Sequence, residues 1–140
     1  MDTFSVIVRC SRSFLEKRLK QYDISFNEQI MLMYISNNQF TNQDSIAKNF
    51  MTDKGTVAKA IKKLEEKGLI LRKENPSNKR ENIITLSPKG RDIICYMNKL
   101  LTEWQEIAFK DFSKEEIEEM KRLEGKMLKN IAKTDNEEQQ

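Results

Sequence analysis

Apolar residues recur every three or four positions along most of this chain, the spacing of helices with one buried face. Phe4, Ile7, Phe14, Leu19 and Tyr22 predict a first helix over 3–22, and Ile30, Met31, Met33, Tyr34 and Ile35 a second over 26–36. Ile46, Ala47 and Phe50 mark a short third over 43–50; Val57, Ile61 and Leu64 mark a fourth over 54–67. Ile93, Met97, Leu100, Leu101, Trp104 and Ile107 run along a long fifth helix. Ile117, Met120, Leu123, Met127, Leu128 and Ile131 define a sixth. The period changes only between the fourth and fifth helices. LILRKE (69–74) and NIITL (82–86) are apolar and β-branched, and NPSNKRE between them has the residues of an open turn. A β-hairpin thus interrupts a helical chain.

Punctuation agrees with this order. Ser25 with Glu28, and Ser113 with Glu116, have the spacing of a capping box, and Thr41 with Asp44 is a looser version. Ser87-Pro88 puts a cap before a proline at the first helical position, and Gly68 is a natural helix stop. The expectation is one domain over 1–134, mostly α with a small hairpin, followed by a polar tail over 135–140. Within it, 43–66 forms a helix-turn-helix, 69–86 a wing, and 1–22 and 88–133 the flanking helices.

Composition narrows the chemistry. The 140 residues include no histidine and two cysteines, Cys10 and Cys95, far apart and outside any CxxC. Histidine-based triads and zinc catalysis are excluded on inventory, and no metal or other cofactor is expected. Carboxylate pairs such as Glu115/Glu116 lie on an exposed acidic helix with no apolar pocket to raise a pKa, so an enzyme is not expected. No apolar run approaches a membrane span, and the N-terminal MDTFSVIVRCSRSF carries charge where a signal peptide would be apolar. A reduced, cytoplasmic protein is the simplest reading.

The net charge of +3 says less than its distribution. Residues 53–80 hold nine Lys/Arg against four acids, a local excess of +5; residues 103–119 hold seven acids against two lysines, an excess of −5. The basic part suits a polyanion and the acidic part repels one. Val57, Ala60, Ile61 and Leu64 turn inward on the fourth helix, which leaves Gly55, Ala58, Lys59 and Lys62 outward, with Thr56 and Lys63 at one margin. Lysines on an amphipathic helix are usually only solvated. Here they come with a preceding short helix, small outward residues and a basic hairpin. Small residues let a helix sit deep in a major groove, while lysines reach bases or phosphates. Lys79 and Arg80 at the hairpin tip fit phosphates or the neighbouring minor groove, whose negative potential favours arginine.

The run QDSIAKNFMTDKGTVAKAIKKLEEKGLILRKENPSNKRENIITLSPKG resembles the MarR family of bacterial winged-helix transcription regulators. The marks are A-x-x-F…T-V…I-x-x-L-E-x-K-G-L-I, the N-P-x-x-K-R wing tip and the L-S-P-K-G exit. The resemblance implies double-stranded DNA as partner. It matches Lys54, Gly55, Thr56, Ala58, Lys59 and Lys62 to the recognition helix and Arg80 to the wing; with Thr52, Asp53, Lys63 and Lys79 beside them these make up the expected DNA-binding set. One position departs: the family's aspartate before the K/R-R pair, which orients the wing, is Asn78 here, able to hydrogen-bond but not to pair ionically.

The end helices carry apolar stripes too long for a small winged-helix core to cover, and two-fold dimerisation is their expected outlet. The resemblance implies the same, and hence a homodimeric repressor on an inverted-repeat operator. It also implies release by a small aromatic or anionic ligand, for which Arg12, Met31, Tyr34 and Tyr96 are the candidate lining residues, each better accounted for as ordinary core or surface. Cys10 reads as an inert thiol. The rival reading is a winged-helix module that docks acidic protein partners without specific DNA binding.

Overall fold

Helices begin where the sequence supplies an oxygen to cap them. The computed structural model describes residues 2–50 and 52–138 and contains six helices and one hairpin among them. Helix α1 (Thr3–Leu19) starts at Asp2 and runs into a 3-10 turn over Lys20–Tyr22, which Asp23 closes in the left-handed region at φ 50°. Helix α2 (Phe26–Asn37) has the full capping box. The Glu28 N–H donates to Ser25 Oγ at 3.3 Å, and the Ser25 N–H donates to the Glu28 carboxylate at 3.2 Å. Helices α3 (Gln43–Asn49) and α4 (Lys54–Glu66) follow, then strands β1 (Ile70–Asn75) and β2 (Asn78–Leu86), α5 (Pro88–Ala108) and α6 (Lys114–Glu138).

The chain divides into two compact units, Met1–Trp104 and Gln105–Gln140. The first holds the core. Leu19, Leu32, Ile35, Ile46, Val57, Ile61, Leu64, Leu69, Ile70 and Ile84 are all almost wholly buried, so α1 to α4 and the hairpin root close on one apolar centre. Burying each such side chain contributes about 1.5–3 kcal/mol, enough to fix which face of α4 points inward. Gly68, at φ 71°, turns the chain out of α4 into β1. Ser87 then closes the hairpin root, donating its hydroxyl to the Gly68 carbonyl at 2.6 Å and accepting the Gly90 N–H at 2.9 Å. The second unit holds the end of α5, an edge-on Phe109–Phe112 pair with centroids 5.4 Å apart, the Ser113–Glu116 capping box and α6.

Each unit leaves an apolar stripe uncovered. On α1 it is Phe4, Ile7 and Val8; on α6 it is Leu123, Met127, Leu128 and Ile131, with Leu128 67% exposed. None of the described α6 side chains is buried.

Three expectations need correction. Asn42, not Thr41, caps α3, its Oδ1 accepting the Ser45 N–H at 2.8 Å. Thr41 is instead buried, and its carbonyl accepts the Ile84 N–H at 2.8 Å, adding a one-residue third strand to the hairpin. The hairpin is also deeper than its apolar runs: it pairs Ile70 with Leu86 through to Glu74 with Asn82, and Asn75 with Asn78. Only Pro76 and Ser77 are left as turn, because pairing continues through polar residues that carry no alternation; Lys79 and Arg80 lie within β2, on a stretch with no opposite residue on β1. Finally, α6 continues to Glu138, beyond the last apolar position, so the expected tail over 135–140 starts as helix; Gln139 and Gln140 lie outside the described residues.

Candidate nucleic-acid interface

Helix α4 is set by its inner face and by contacts at both ends. Val57, Ile61 and Leu64 have no exposed surface, and Ala60 packs at the core margin. At 100° per residue the opposite face belongs to Lys54, Gly55, Ala58, Lys59 and Lys62. All of these are exposed except Ala58, which is half-buried. Asp53 caps the helix: its carboxylate accepts the Thr56 N–H at 2.8 Å and the Thr56 hydroxyl at 2.6 Å. The Thr56 hydroxyl and then its N–H hold the Asp53 carboxyl below the usual aspartate range. Thr52 is half-buried and its N–H donates to the Ala47 carbonyl at 3.1 Å, fixing the turn; Met51 beside it lies outside the described residues. A methyl group at Gly55 would stand 3.1 Å from Asp53 Oδ1, so the cap itself favours glycine there, apart from any close approach by a ligand.

At the far end, the Lys67 ammonium bonds Glu28 Oε2 at 2.7 Å and also the Asp23 carbonyl, tying the end of α4 to the start of α2. Arg72 of β1 grips Glu65 with two hydrogen bonds, at 3.0 and 3.3 Å, tying α4 to the wing. Spacing along the chain signals neither latch.

The wing carries its cations on an irregular stretch. Between the Glu74–Asn82 and Asn75–Asn78 pairs, Lys79, Arg80 and Glu81 have no opposite residue on β1. Asn78 Oδ1 accepts the Arg80 N–H at 3.2 Å, so its side chain supports the backbone locally. Glu81 reaches away from the hairpin to Asn42 at the start of α3 and also accepts from Asn75 Nδ2 at 3.1 Å.

Charge pairing sorts the cations. Lys54 is paired with Asp44 at 3.1 Å, and Lys67 and Arg72 are taken up in latches. Lys59, Lys62, Lys63, Lys79 and Arg80 are exposed and make no ion pair among the described residues. Asp44 joins the two groups spatially. It holds Lys54 on α4 and, with Asn42, Gln43 and Arg80, lines a polar cleft between α3 and the wing.

The four candidate ligand residues are not brought together. Arg12 pairs with Glu16 at 2.8 Å and lies over the Phe26 ring; Tyr34 packs edge-on against Phe50, and Tyr96 packs at a tilt against Tyr22. Met31 borders a cavity of about 420 Å³ beside α4, together with Ile30, Phe50, Thr56, Lys59, Ala60 and Lys63. Spacing within one helix could not reveal this cavity, since α2 and α4 form its opposite walls. Among the described residues no cluster of three metal-ligating side chains occurs, and no helix is long and apolar enough to cross a membrane.

A short helix, a turn, a second helix packed across it and an adjoining two-stranded ribbon together define a winged helix-turn-helix protein. Comparison with known proteins points the same way: the MarR family profile matches residues 27–82. It is 28% identical over 107 residues to the HTH-type transcriptional regulator BilQ of Clostridioides difficile strain CD3, covering 76% of this chain and 72% of that one. The crystal structure of MarR superposes with a TM-score of 0.83 at 27% identity, covering 98% of both chains. A MarR family regulator from Listeria monocytogenes, crystallised with a 26mer DNA, gives a TM-score of 0.86 at 27% identity, covering 94% of this chain and 88% of that one. These relatives are transcriptional regulators, not enzymes.

Proposed function

We propose that this chain is a homodimeric transcriptional repressor that binds an inverted-repeat DNA operator. One observation carries the reading: on α4 and the adjoining wing, Lys59, Lys62, Lys63, Lys73, Lys79 and Arg80 are exposed and make no ion pair among the described residues. In this reading α4 enters the major groove with Thr52, Asp53, Lys54, Gly55, Thr56, Ala58, Lys59, Lys62 and Lys63 at or near the duplex. Thr52 and Asp53 act mainly through the turn and the cap. Lys54 leaves Asp44 for a phosphate, and Lys79 and Arg80 reach the next minor groove.

The uncovered stripes of α1 and α6 support the dimer, since a monomer gains nothing by exposing them. A two-fold pair presents two α4 helices, and half-sites about one helical turn apart follow. The cavity beside α4 supports regulation by a small amphipathic anion. Ile30, Met31, Phe50 and Ala60 would take the apolar body and Lys59 and Lys63 the charge, withdrawing both lysines from DNA.

Selection of bound sequences from a random duplex pool tests the reading. An inverted repeat bound well above random duplex is the expected result. Equal binding of selected and random duplex, even at low salt, would overturn it in favour of a protein-docking module.

A further inference from the structure

Lys79 and Arg80 sit on a stretch of β2 that the β-ladder does not hold. Pairing jumps from Glu74–Asn82 to Asn75–Asn78, so residues 79–81 are an unpaired bulge, and bulges of this kind commonly re-aim a side chain. What holds the bulge is therefore what aims Arg80. The Asn78 side-chain oxygen takes the Arg80 N–H at 3.2 Å, a contact within the wing itself. The contact to the rest of the protein is Glu81. Its half-buried carboxylate accepts one hydrogen bond from Asn42 Nδ2, 39 residues earlier, and one from Asn75 Nδ2 at 3.1 Å.

Asn42 has two roles on one amide. Its Oδ1 caps α3 by accepting the Ser45 N–H at 2.8 Å, while its Nδ2 donates to Glu81. The start of α3 and the cation-bearing bulge are thus joined through a single planar group with fixed geometry. Hydrogen bonds to an ionised acceptor are about twice as strong as neutral ones, so a carboxylate suits this joint.

We propose that Glu81 is the positioning residue of the wing: clamped by Asn42 and Asn75, it sets where Arg80 stands relative to α4, the task for which Asn78 lacks the charge. The wing's contact with DNA rests on the function proposed above, but the clamp itself does not.

The donor and acceptor in the clamp can be exchanged, which makes the test specific. Asn42→Asp keeps an Oδ1 to cap α3 but sets a second carboxylate against Glu81. Adding Glu81→Gln restores the match: the amide introduced at position 81 donates to the carboxylate introduced at position 42, and its oxygen still accepts from Asn75. The first readout needs no DNA. Amide hydrogen exchange at Ser77–Asn82 should speed up about tenfold in Asn42→Asp and return to within about twofold of wild type in Asn42→Asp/Glu81→Gln, with α3 amides unchanged in both. The second readout is affinity for the selected duplex. Asn42→Asp should bind about tenfold more weakly, approaching Arg80→Ala, and the double variant should recover. Wild-type exchange in Asn42→Asp, or a double variant no better than Asn42→Asp alone, would overturn the clamp. If exchange follows the expected pattern while Arg80→Ala binds like wild type, the clamp stands and it is the wing's role on DNA that fails.

Discussion

Replacing Gly90 with alanine sets two physical effects against each other, and the structure decides their sign. Helix propensity alone favours alanine by at most about 1 kcal/mol. Gly90, however, lies buried in the first turn of α5 against the hairpin root. A methyl group there would overlap the Leu69 carbonyl oxygen and stand 3.0 Å from the carbonyl carbon and 3.4 Å from Leu86 Cδ2. That carbonyl already accepts the Ser87 N–H at 3.0 Å, and Ser87 Oγ bonds the neighbouring Gly68 carbonyl at 2.6 Å. Relieving the overlap requires α5 to move off the hairpin root. Two hydrogen bonds worth about 1 kcal/mol each are weakened, and crowding adds about 1–3 kcal/mol. After the propensity gain, Gly90→Ala should destabilise by about 2–4 kcal/mol. Gly125 in α6 is the control: nothing lies within 4 Å of the added methyl, so Gly125→Ala should stabilise by up to about 1 kcal/mol. Urea unfolding at one fixed protein concentration measures both, with unchanged m-values as the condition for comparing midpoints. A neutral or stabilising Gly90→Ala would refute the packing of α5 on the Gly68–Leu69 carbonyls.

Other expectations follow from single contacts. Lys67→Met strands Glu28, which is 5% exposed, with only the Ser25 N–H. Breaking a buried pair costs about 3–5 kcal/mol, but the Lys67 side chain is 29% exposed and water makes up part of the loss. A destabilisation of about 2 kcal/mol by urea unfolding is expected, with Glu28→Gln/Lys67→Met recovering more than half; no recovery would contradict the latch. Because the Asp53 carboxyl is held below its ordinary pKa, the stability it adds is present above about pH 4 and is lost as pH falls through its folded value. Asp53→Ser keeps an N-cap oxygen but does not titrate, so its thermal midpoint should fall less steeply than wild type on acidification below about pH 4; parallel curves would contradict this. Leu128→Lys places charge in the exposed α6 stripe, and sedimentation should show a shift from dimer to monomer at micromolar concentration; an unchanged dimer would remove α6 from the proposed interface.

What could be read from the sequence was local. Ser25–Glu28, Ser113–Glu116 and Gly68 act within one turn of chain, so their spacing carries their meaning. The outward face of α4 follows from Val57, Ile61 and Leu64 by helical geometry alone. What was hidden joins distant residues. Glu28 with Lys67 and Asn42 with Glu81 are each 39 residues apart, and none of the four stands out by type on a surface rich in charged and amide groups. The depth of the hairpin was hidden for another reason: Lys73, Glu74 and Asn75 pair through their backbones, and polar side chains leave no alternating trace. The cavity beside α4 needs two helices to exist, which is why only Met31 of the four expected ligand residues borders it.

The most direct test of the central claim is the salt dependence of binding to the selected duplex in wild type, Lys59→Ala, Lys62→Ala and Arg80→Ala. If α4 and the wing grip one duplex, log Kd against log salt should be steep in wild type and shallower by about one unit for each cation that neutralises a phosphate, with weaker binding in all three variants. Three variants with wild-type affinity and slope would mean that neither the outward face of α4 nor the wing touches DNA.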